Sequence, residues 1–385
     1  MGGDEREGDG AARRVRTSTG DPAWQVSGYE AVRTLLTDPR LGTTHPDPER
    51  ASRASQSPLF GTPRGGSPET EREDHGRMRR ALSRSFAVRR MEALRPRIQA
   101  MADRLLDDVA RRRPPVDLHE ALSFPLPVLV ICELLGVPFE DRERFRAWSD
   151  DAAHMNDRAR AMAGLENLYR YMQALIERKR QEPAEDVISD LIAARDERGE
   201  FTEGEIAALA AGLLFAGHET TVSAIDRGVL LLLTSPDQRE ALQGDPDLAA
   251  RAVEEILRTP SQVLDASRSA IGGLPRYASA PIDLRGAAVE AGDLVLLDTR
   301  SANRDPVHFP DPERFDIGRE DNPHLAFGHG PHFCLGAPLA RVELQVVFGT
   351  LFRRFPTLRL AVEVDELRPR TGRLTGGLTE LPVTW

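Results

Sequence analysis

Apolar residues recur at helical spacing over most of the chain, and the longest such run lies just past its midpoint. In FTEGEIAALAAGLLFAGHETTVSAIDRGVLLLLTSP, Thr202 and Glu205 stand as a capping box does at a helix start. Apolar positions then run almost unbroken to Leu233, and Ser235-Pro236 ends the pattern. The spacing predicts a helix of roughly thirty residues, about 45 Å long at 1.5 Å per residue. Apolar on most faces, it should cross the middle of a domain. Upstream, the pattern is mostly helical from His75 to about Arg195. Met91–Arg111 repeats apolar residues at Met91, Leu94, Ile98, Met101 and Leu105, and Leu118–Leu135 is apolar enough to be buried. Phe139–Asp151 and Ala161–Arg180 read as amphipathic helices. Gly28–Gly42 reads as a short one stopped by Asp38-Pro39, and Asp247–Thr259 as another, capped helix. The last helix begins after Cys334 and ends near Phe355-Pro356. Only RYASAPIDLRGAAVEAGDLVLLDT, from Arg276, shows short β runs, around Gly286 and Gly292.

Residues 43–74, rich in Pro, Ser, Gly and charge, read as a long loop. Residues 1–20 lack periodicity and are expected to be disordered. No repeat at solenoid periods is visible. The sum is a mainly α protein with small β-sheets, a single domain over residues 21–385.

Charge and cysteine content narrow the class. The 385 residues carry 61 acids against 51 lysines and arginines, a net charge of −10 that argues against nucleic acid as a partner. Two cysteines cannot make a disulfide framework and fit a reducing compartment. The N-terminal MGGDEREGDGAARR lacks the apolar core of a signal peptide. The longest unbroken apolar runs, around Ala207–Ala216 and Val229–Leu233, are too short for a membrane span. These features describe a soluble, cytoplasmic protein. One stretch departs from the acidic average: His75–Arg97 is crowded with arginines against the single acid Glu92. It is either a solvated basic face or a docking surface for an acidic partner.

Cys132, inside VLVICELLGVP, reads as a buried structural thiol. Cys334 is different. It sits in FGHGPHFCLG, Phe327–Gly336, where a Gly-rich loop meets a helix with Pro338 in its first turn. Unpaired N–H groups and the positive dipole end at such a position stabilise a thiolate. Gly328, Gly330 and Gly336 would let the backbone approach something large and flat. A lone cysteine in a turn is more often just a small apolar residue. This one belongs to a pattern: Phe327, Gly330, His332, Cys334 and Gly336 together match FxxGxHxCxG. In this the chain resembles the cytochrome P450 family of haem-thiolate monooxygenases, over nearly its whole length from about Gly20. The resemblance implies Cys334 as axial ligand of the haem iron, donating electron density that favours O–O cleavage. It implies His332 at a haem propionate and Phe327 beside the sulfur.

Other motifs fit the same family. Glu-x-x-Arg is an ordinary helical surface pair, and the chain holds six. Only Glu255/Arg258 lies at the family's distance upstream of Cys334, and Arg314 of DPERF resembles the third member of that structural network. AGHETT, Ala216–Thr221, resembles the oxygen-activation motif. Ala216 and Gly217 would leave room beside the iron, and a hydroxyl disturbs local helical bonding. Glu219 and Thr220 would relay protons to bound dioxygen, and His218 would have no catalytic role. His75 and Arg79 share a helical face and would bind propionates by charge-assisted hydrogen bonds. A further propionate arginine in Arg-x-Ala is either Arg268 or Arg276; the strand and hairpin that follow favour Arg276.

The implied fold places haem between the long central helix and the cysteine-ligand loop with the last helix. The implied cofactor is haem b, with O2 as co-substrate. Electrons would come from a ferredoxin and ferredoxin reductase, with NAD(P)H used at the reductase, since no dinucleotide fingerprint opens a βα unit here. The basic stretch would then be the ferredoxin surface, through Arg80, Arg84, Arg89 and Arg90. The activity would be hydroxylation or epoxidation of a small organic substrate, a secondary metabolite such as a polyketide, macrolide or terpenoid, as in antibiotic biosynthesis. Pocket residues are expected in 43–74, 145–175, 213–216, 261–275 and 375–378, including Leu213, Ala216, Gln262, Val263 and Leu378. A monomer is expected. Two alternatives stay open: a peroxide-driven haem enzyme, and a non-catalytic haem sensor or accessory protein. The intact Glu219-Thr220 pair argues against the first, and Cys334 with that pair against the second.

Overall fold

The structure, a computed structural model, describes residues 12–60, 62–199, 201–260, 272–284, 286–373 and 375–385. The chain divides into two compact units, each assembled from separate stretches: residues 1–75, 268–314 and 321–334, and residues 76–267, 315–320 and 335–385. One domain was expected from residue 21. The division arises because late strands return to pair with the N-terminal ones.

In the first unit, five strands form one sheet: β1 (Ala12–Arg16), β2 (Pro22–Val26), β3 (Leu41–Gly42), β4 (Leu274–Ala278) and β5 (Leu294–Leu297), in the order β1-β2-β5-β4-β3. β2 and β5 run parallel with Trp24 opposite Val295, and β4 pairs antiparallel with β5. β5 is buried at every position, as a central strand covered on both faces should be. The expected N-terminal disorder does not extend over Ala12–Arg16, which pair antiparallel with β2. Their charges are held across the strand pair: Arg14 lies 4.4 Å over the Trp24 ring and Arg13 donates to Gln25 at 2.9 Å. The expected hairpin around Gly286 is present as Ile282–Leu284 against Ala287–Val289. Helix α1 (Tyr29–Leu35) is shorter than the pattern suggested, because the Asp38-Pro39 turn leads straight into β3.

Helix α2 (Pro68–Leu82) begins inside the stretch expected to be loop. Proline at the helix start lacks only an N–H that would be unpaired anyway, and Glu69 and Glu71 suit the positive end.

The second unit is helical. It contains α3 (Pro125–Leu135), α4 (Arg142–Ala152), α5 (Arg158–Gln181), α6 (Glu203–Thr234), α7 (Ala249–Arg258) and α8 (Ala337–Arg354), with further helices at Val88–Ala93, Arg95–Arg111, Val187–Arg198 and Pro236–Gly244. A small sheet joins Val116–Asp117, Pro382–Thr384 and Arg359–Leu360. α6 is the predicted long helix. Both halves of its capping box form: the Thr202 N–H donates to Glu205 Oε2 at 2.7 Å, and the Glu205 N–H to Thr202 Oγ1 at 3.2 Å. By length and composition α6 could cross a membrane, contrary to the estimate from unbroken runs, yet most of that window is buried as the core of this unit. It packs against α3, α5, α7 and α8.

The run Leu118–Leu135 is not one helix. A π-turn spans His119–Ser123, closed by the Phe124 N–H on the His119 carbonyl at 2.9 Å, and α3 starts at Pro125. Pro125 and Pro127 lack the N–H groups that would continue a regular helix. Likewise α7 starts two residues later than predicted, because Asp245, not Asp247, caps a 3₁₀ turn over Pro246–Leu248.

Candidate functional site

The first unit carries the cysteine loop. Cys334 is exposed. The loop folds on itself: the Cys334 N–H donates to the Phe327 carbonyl at 2.8 Å, and the Phe333 N–H to Gly330 at 3.0 Å. Gly328 and Gly330 have φ of 73° and 70°, where side chains are disfavoured. A Cβ on Gly330 would also lie 2.5 Å from Thr37 Cγ2. Gly336 has φ −80°, so this backbone does not require glycine there. Cys334 stands two residues before Gly336, the N-cap of α8, and not in the first helical turn. Phe327 packs edge-on against Phe333 at 6.1 Å.

The His332 and His75 rings lie against each other at a tilt of 34°, with centroids 4.1 Å apart. Two side chains chosen from different motifs for the same kind of anionic group are therefore neighbours. One turn before His75, Glu71 supplies a contact that sequence patterns did not suggest. Its carboxylate accepts from the N–H and hydroxyl of Thr43 (both 2.8 Å) and of Thr44 (3.0 and 2.9 Å). Burial pushes the Glu71 carboxyl up, but these donors outweigh it and hold it below the usual range. Gly42 makes room for it, since a Cβ there would lie 2.6 Å from Glu71 Oε2. Arg276, on β4, donates to the Pro275 carbonyl at 2.8 Å. Burial draws its pKa down while the charge of Glu71 opposes this. Arg268, the alternative to Arg276, lies outside the described residues, as do Gln262 and Val263 and most of the expected pocket segment 261–275.

In the second unit, α6 is buried along most of its middle, but Gly212, Ala216 and Thr220 form an open stripe at helical spacing, with Leu213 half-buried beside it. The Thr220 hydroxyl donates one turn back to the Ala216 carbonyl at 3.0 Å, and Thr221 to Gly217 at 3.2 Å. Gly217 has a packing reason to be small: a Cβ would lie 2.8 Å from Ile131 Cδ1 on α3. His218 is buried and packs edge-on against Phe124 at 4.8 Å. Burial pushes its imidazole down to about 3, so it is neutral at physiological pH and suits the non-catalytic part expected of it.

Glu219 is buried, and Thr375 Oγ1 donates to its Oε1 at 3.0 Å. Burial raises its pKa, against the charges of Arg370 and Arg373 and the Thr375 hydrogen bond, while Asp150 adds to the rise. A carboxyl raised this way holds its proton more readily than an exposed glutamate does. Two turns on, the buried Asp226 meets His119 Nδ1 at 2.8 Å. Burial lowers the His119 pKa, but Asp226 outweighs it and the net direction is up. Leu378, proposed as pocket lining, is fully buried in the hydrophobic core and offers no surface to a ligand.

The structural network is present within this unit. Arg258 reaches both oxygens of Glu255 at 2.8 and 2.7 Å, and both side chains have 0% exposure. The Asp316 N–H adds 3.0 Å and Arg319 Nε 3.2 Å. Arg319 was not singled out from the sequence; Arg314, which was, belongs to the first unit. Of the four arginines expected at a docking surface, Arg80, Arg84 and Arg89 are exposed, and Arg90, half-buried, pairs with Asp190 at 2.6 Å. Cys132 is buried with its thiol pushed up to about 12, an unreactive structural group.

Among the described residues, no group of three or more His, Cys, Asp or Glu side chains could hold a metal ion. An iron held by a porphyrin brings its remaining ligands with it and asks the protein only for an axial ligand such as Cys334. His75, His332 and Arg276 are donors of the kind that porphyrin carboxylates need. The residues present thus fit haem.

Residues 145–371 match the family model for cytochrome P450. The chain is 42% identical to the pentalenolactone synthase of Streptomyces exfoliatus, covering 98% of this chain and 94% of that protein. It is 42% identical to the mycinamicin IV hydroxylase/epoxidase of Micromonospora griseorubida, covering 97% and 92%. Its fold superposes on the crystal structure of the mycinamicin VIII methyl hydroxylase MycCI of the same organism with a TM-score of 0.86 at 38% identity, covering 97% and 94%. The chain belongs to the cytochrome P450 family, as a monooxygenase of the type used in secondary-metabolite biosynthesis.

Proposed function

We propose that the protein oxidises a medium or large natural product of the polyketide, macrolide or terpenoid class, by hydroxylation or epoxidation. The open stripe of α6 carries this reading. A helix buried along most of its middle leaves Gly212, Ala216 and Thr220 exposed beside a buried carboxyl whose pKa is raised. Haem b, held by the Cys334 thiolate, supplies dioxygen activation when bound. His75, His332, Arg276 and Arg79 hold its propionates. Ala216 leaves space at the reacting face. Glu219 takes up protons at its carboxyl, and Thr220 Oγ1 passes them on after leaving the Ala216 carbonyl. Electrons come from NAD(P)H through a reductase and an acidic ferredoxin. Arg80, Arg84 and Arg89 attract that ferredoxin, and monovalent salt weakens the encounter.

The test is reconstitution of the haem-loaded monomer with ferredoxin, reductase, NADPH and a panel of macrolides, polyketides and terpenoids. The expected result is a product heavier by one oxygen, with label from ¹⁸O₂ and with turnover dependent on the redox proteins. Equal turnover from peroxide alone would favour the peroxide-driven alternative. NADPH oxidation without product across the panel would reject the substrate classes.

A further inference from the structure

Residues 368–373 and 375–379 form the two sides of a hairpin within the second unit. Pro369 bridges Leu378, the Arg370 N–H donates to the Gly377 carbonyl at 2.9 Å, and the Thr379 N–H to Arg368 at 2.9 Å. One side of the hairpin is tied to the connection between α4 and α5. The Met155 N–H donates to the Gly372 carbonyl at 2.9 Å, and His154 pairs with Arg373 in an isolated bridge. At the end of α4, Asp150 Oδ1 accepts from Arg370 Nη2 at 2.8 Å; Arg373 Nη2 lies 3.6 Å from Oδ2, and Arg373 also donates to the Asp150 carbonyl. The other side of the hairpin reaches α6. Thr375 Oγ1 donates to Glu219 Oε1 at 3.0 Å, and Ser223 Oγ donates to the Thr375 carbonyl at 3.3 Å.

One short segment therefore touches both the Glu219 carboxyl and the α4–α5 connection. The charged groups acting on Glu219 come from two elements. The hairpin brings Arg370 and Arg373, and α4 brings Asp150, while His218, beside Glu219 on α6, is neutral and adds no charge. His154, on the connection, is pushed below its ordinary value by burial and by Arg373. Arg146, also on α4, is engaged by Glu120 at 2.7 Å. Asp150 is itself pushed up by burial but pulled lower, on balance, by Arg370 and Arg373.

We propose that Arg370 and Asp150 are positioning residues for Glu219: the hairpin presents the Arg370 charge and the Thr375 hydroxyl to the carboxyl, and Asp150 holds Arg370 in place. The contact between the hairpin and the α4–α5 connection then governs whether Glu219 is set to accept and hand on a proton. This rests on the reading of Glu219 as a proton relay.

The test is an infrared pH titration of the protonated-carboxyl band that disappears in Glu219→Gln, on the haem-loaded protein. Arg370→Gln removes a cation and moves the midpoint up. Thr375→Val removes a donor to the carboxylate and also moves it up. Asp150→Asn removes an anion while keeping an acceptor for Arg370, and moves it down. Arg370→Lys keeps the charge and stays near wild type. A merely structural hairpin would loosen in every variant and admit water, so all midpoints would move toward the ordinary glutamate value. Shifts of one sign, no shifts, or no Glu219-dependent band overturn the proposal. If Arg370→Gln does not fold, Thr375→Val and Asp150→Asn still give opposite predicted signs. Product coupling in Glu219→Gln separates the two claims. Wild-type coupling there removes the relay, and with it the handover role, while opposite midpoint shifts would still stand for the positioning.

Discussion

Two buried glutamates of the second unit are built in opposite ways. Glu255 receives two bonds from Arg258, one from Arg319 and one from a backbone N–H. Among the described residues, Glu219 receives one hydroxyl bond to a carboxyl oxygen and a contact of 3.4 Å from the same hydroxyl to its backbone carbonyl, with the charges of Arg370, Arg373 and Asp150 acting on it. A carboxylate with its acceptors filled is a fixed strut. A carboxyl with partners held at a distance keeps the freedom to change charge. Structure and chemistry are thus separated by how completely each acid is satisfied, since both are buried.

Breaking the strut should have the largest effect. Glu255→Ala leaves the buried Arg258 side chain without the carboxylate that accepts two of its bonds. Removing one member of a buried ion pair costs about 3–5 kcal/mol, so urea unfolding should show a much lowered midpoint or the variant should be insoluble. Changing the proposed relay should instead spare the fold. Glu219→Gln should retain the wild-type unfolding midpoint while product formation falls roughly 10²-fold or more, the usual scale for a lost proton-transfer group. Equal stability losses in the two variants would erase the contrast.

Glu343 sharpens it from another side. It is buried on α8, its Oε2 has no hydrogen-bond partner among the described residues, and burial alone raises its pKa well above the ordinary value. An acid with a raised folded-state pKa contributes its full stability below the unfolded pKa, about 4.3. That contribution is lost as pH rises from there through the folded value. Glu343→Gln should therefore be more stable than wild type at neutral pH. The advantage should shrink as pH falls toward the unfolded value, as read from urea midpoints across pH. An advantage independent of pH would contradict the assignment. The smallest effect is local: Thr202→Ala removes one half of the α6 capping box and should cost about 1 kcal/mol, measured by the same unfolding assay.

What the sequence made visible follows the same division. The capping box of α6, the Glu255/Arg258 pair and the Phe327–Gly336 loop are local, so their spacing alone specifies them. The partners of Glu219 come from Asp150 and from Arg370–Thr375, more than sixty residues before it and about 150 after it. No periodicity encodes that meeting. The same holds for Glu71 with Thr43 and Thr44, and for His119 with Asp226, whose pairings depend on tertiary packing. Leu378 was misread because apolar residues near a turn look alike whether they face a ligand or the core. The split of Leu118–Leu135 was legible in principle, since Pro125 and Pro127 stand in the run, but its apolar character masked them.

The most direct test of the central assignment is the spectrum of the reduced protein with carbon monoxide, for wild type and Cys334→Ser. The expected result is a Soret band at the thiolate position in wild type that is lost in the variant. Well-folded wild-type protein without haem, or a thiolate band that survives in Cys334→Ser, would contradict it.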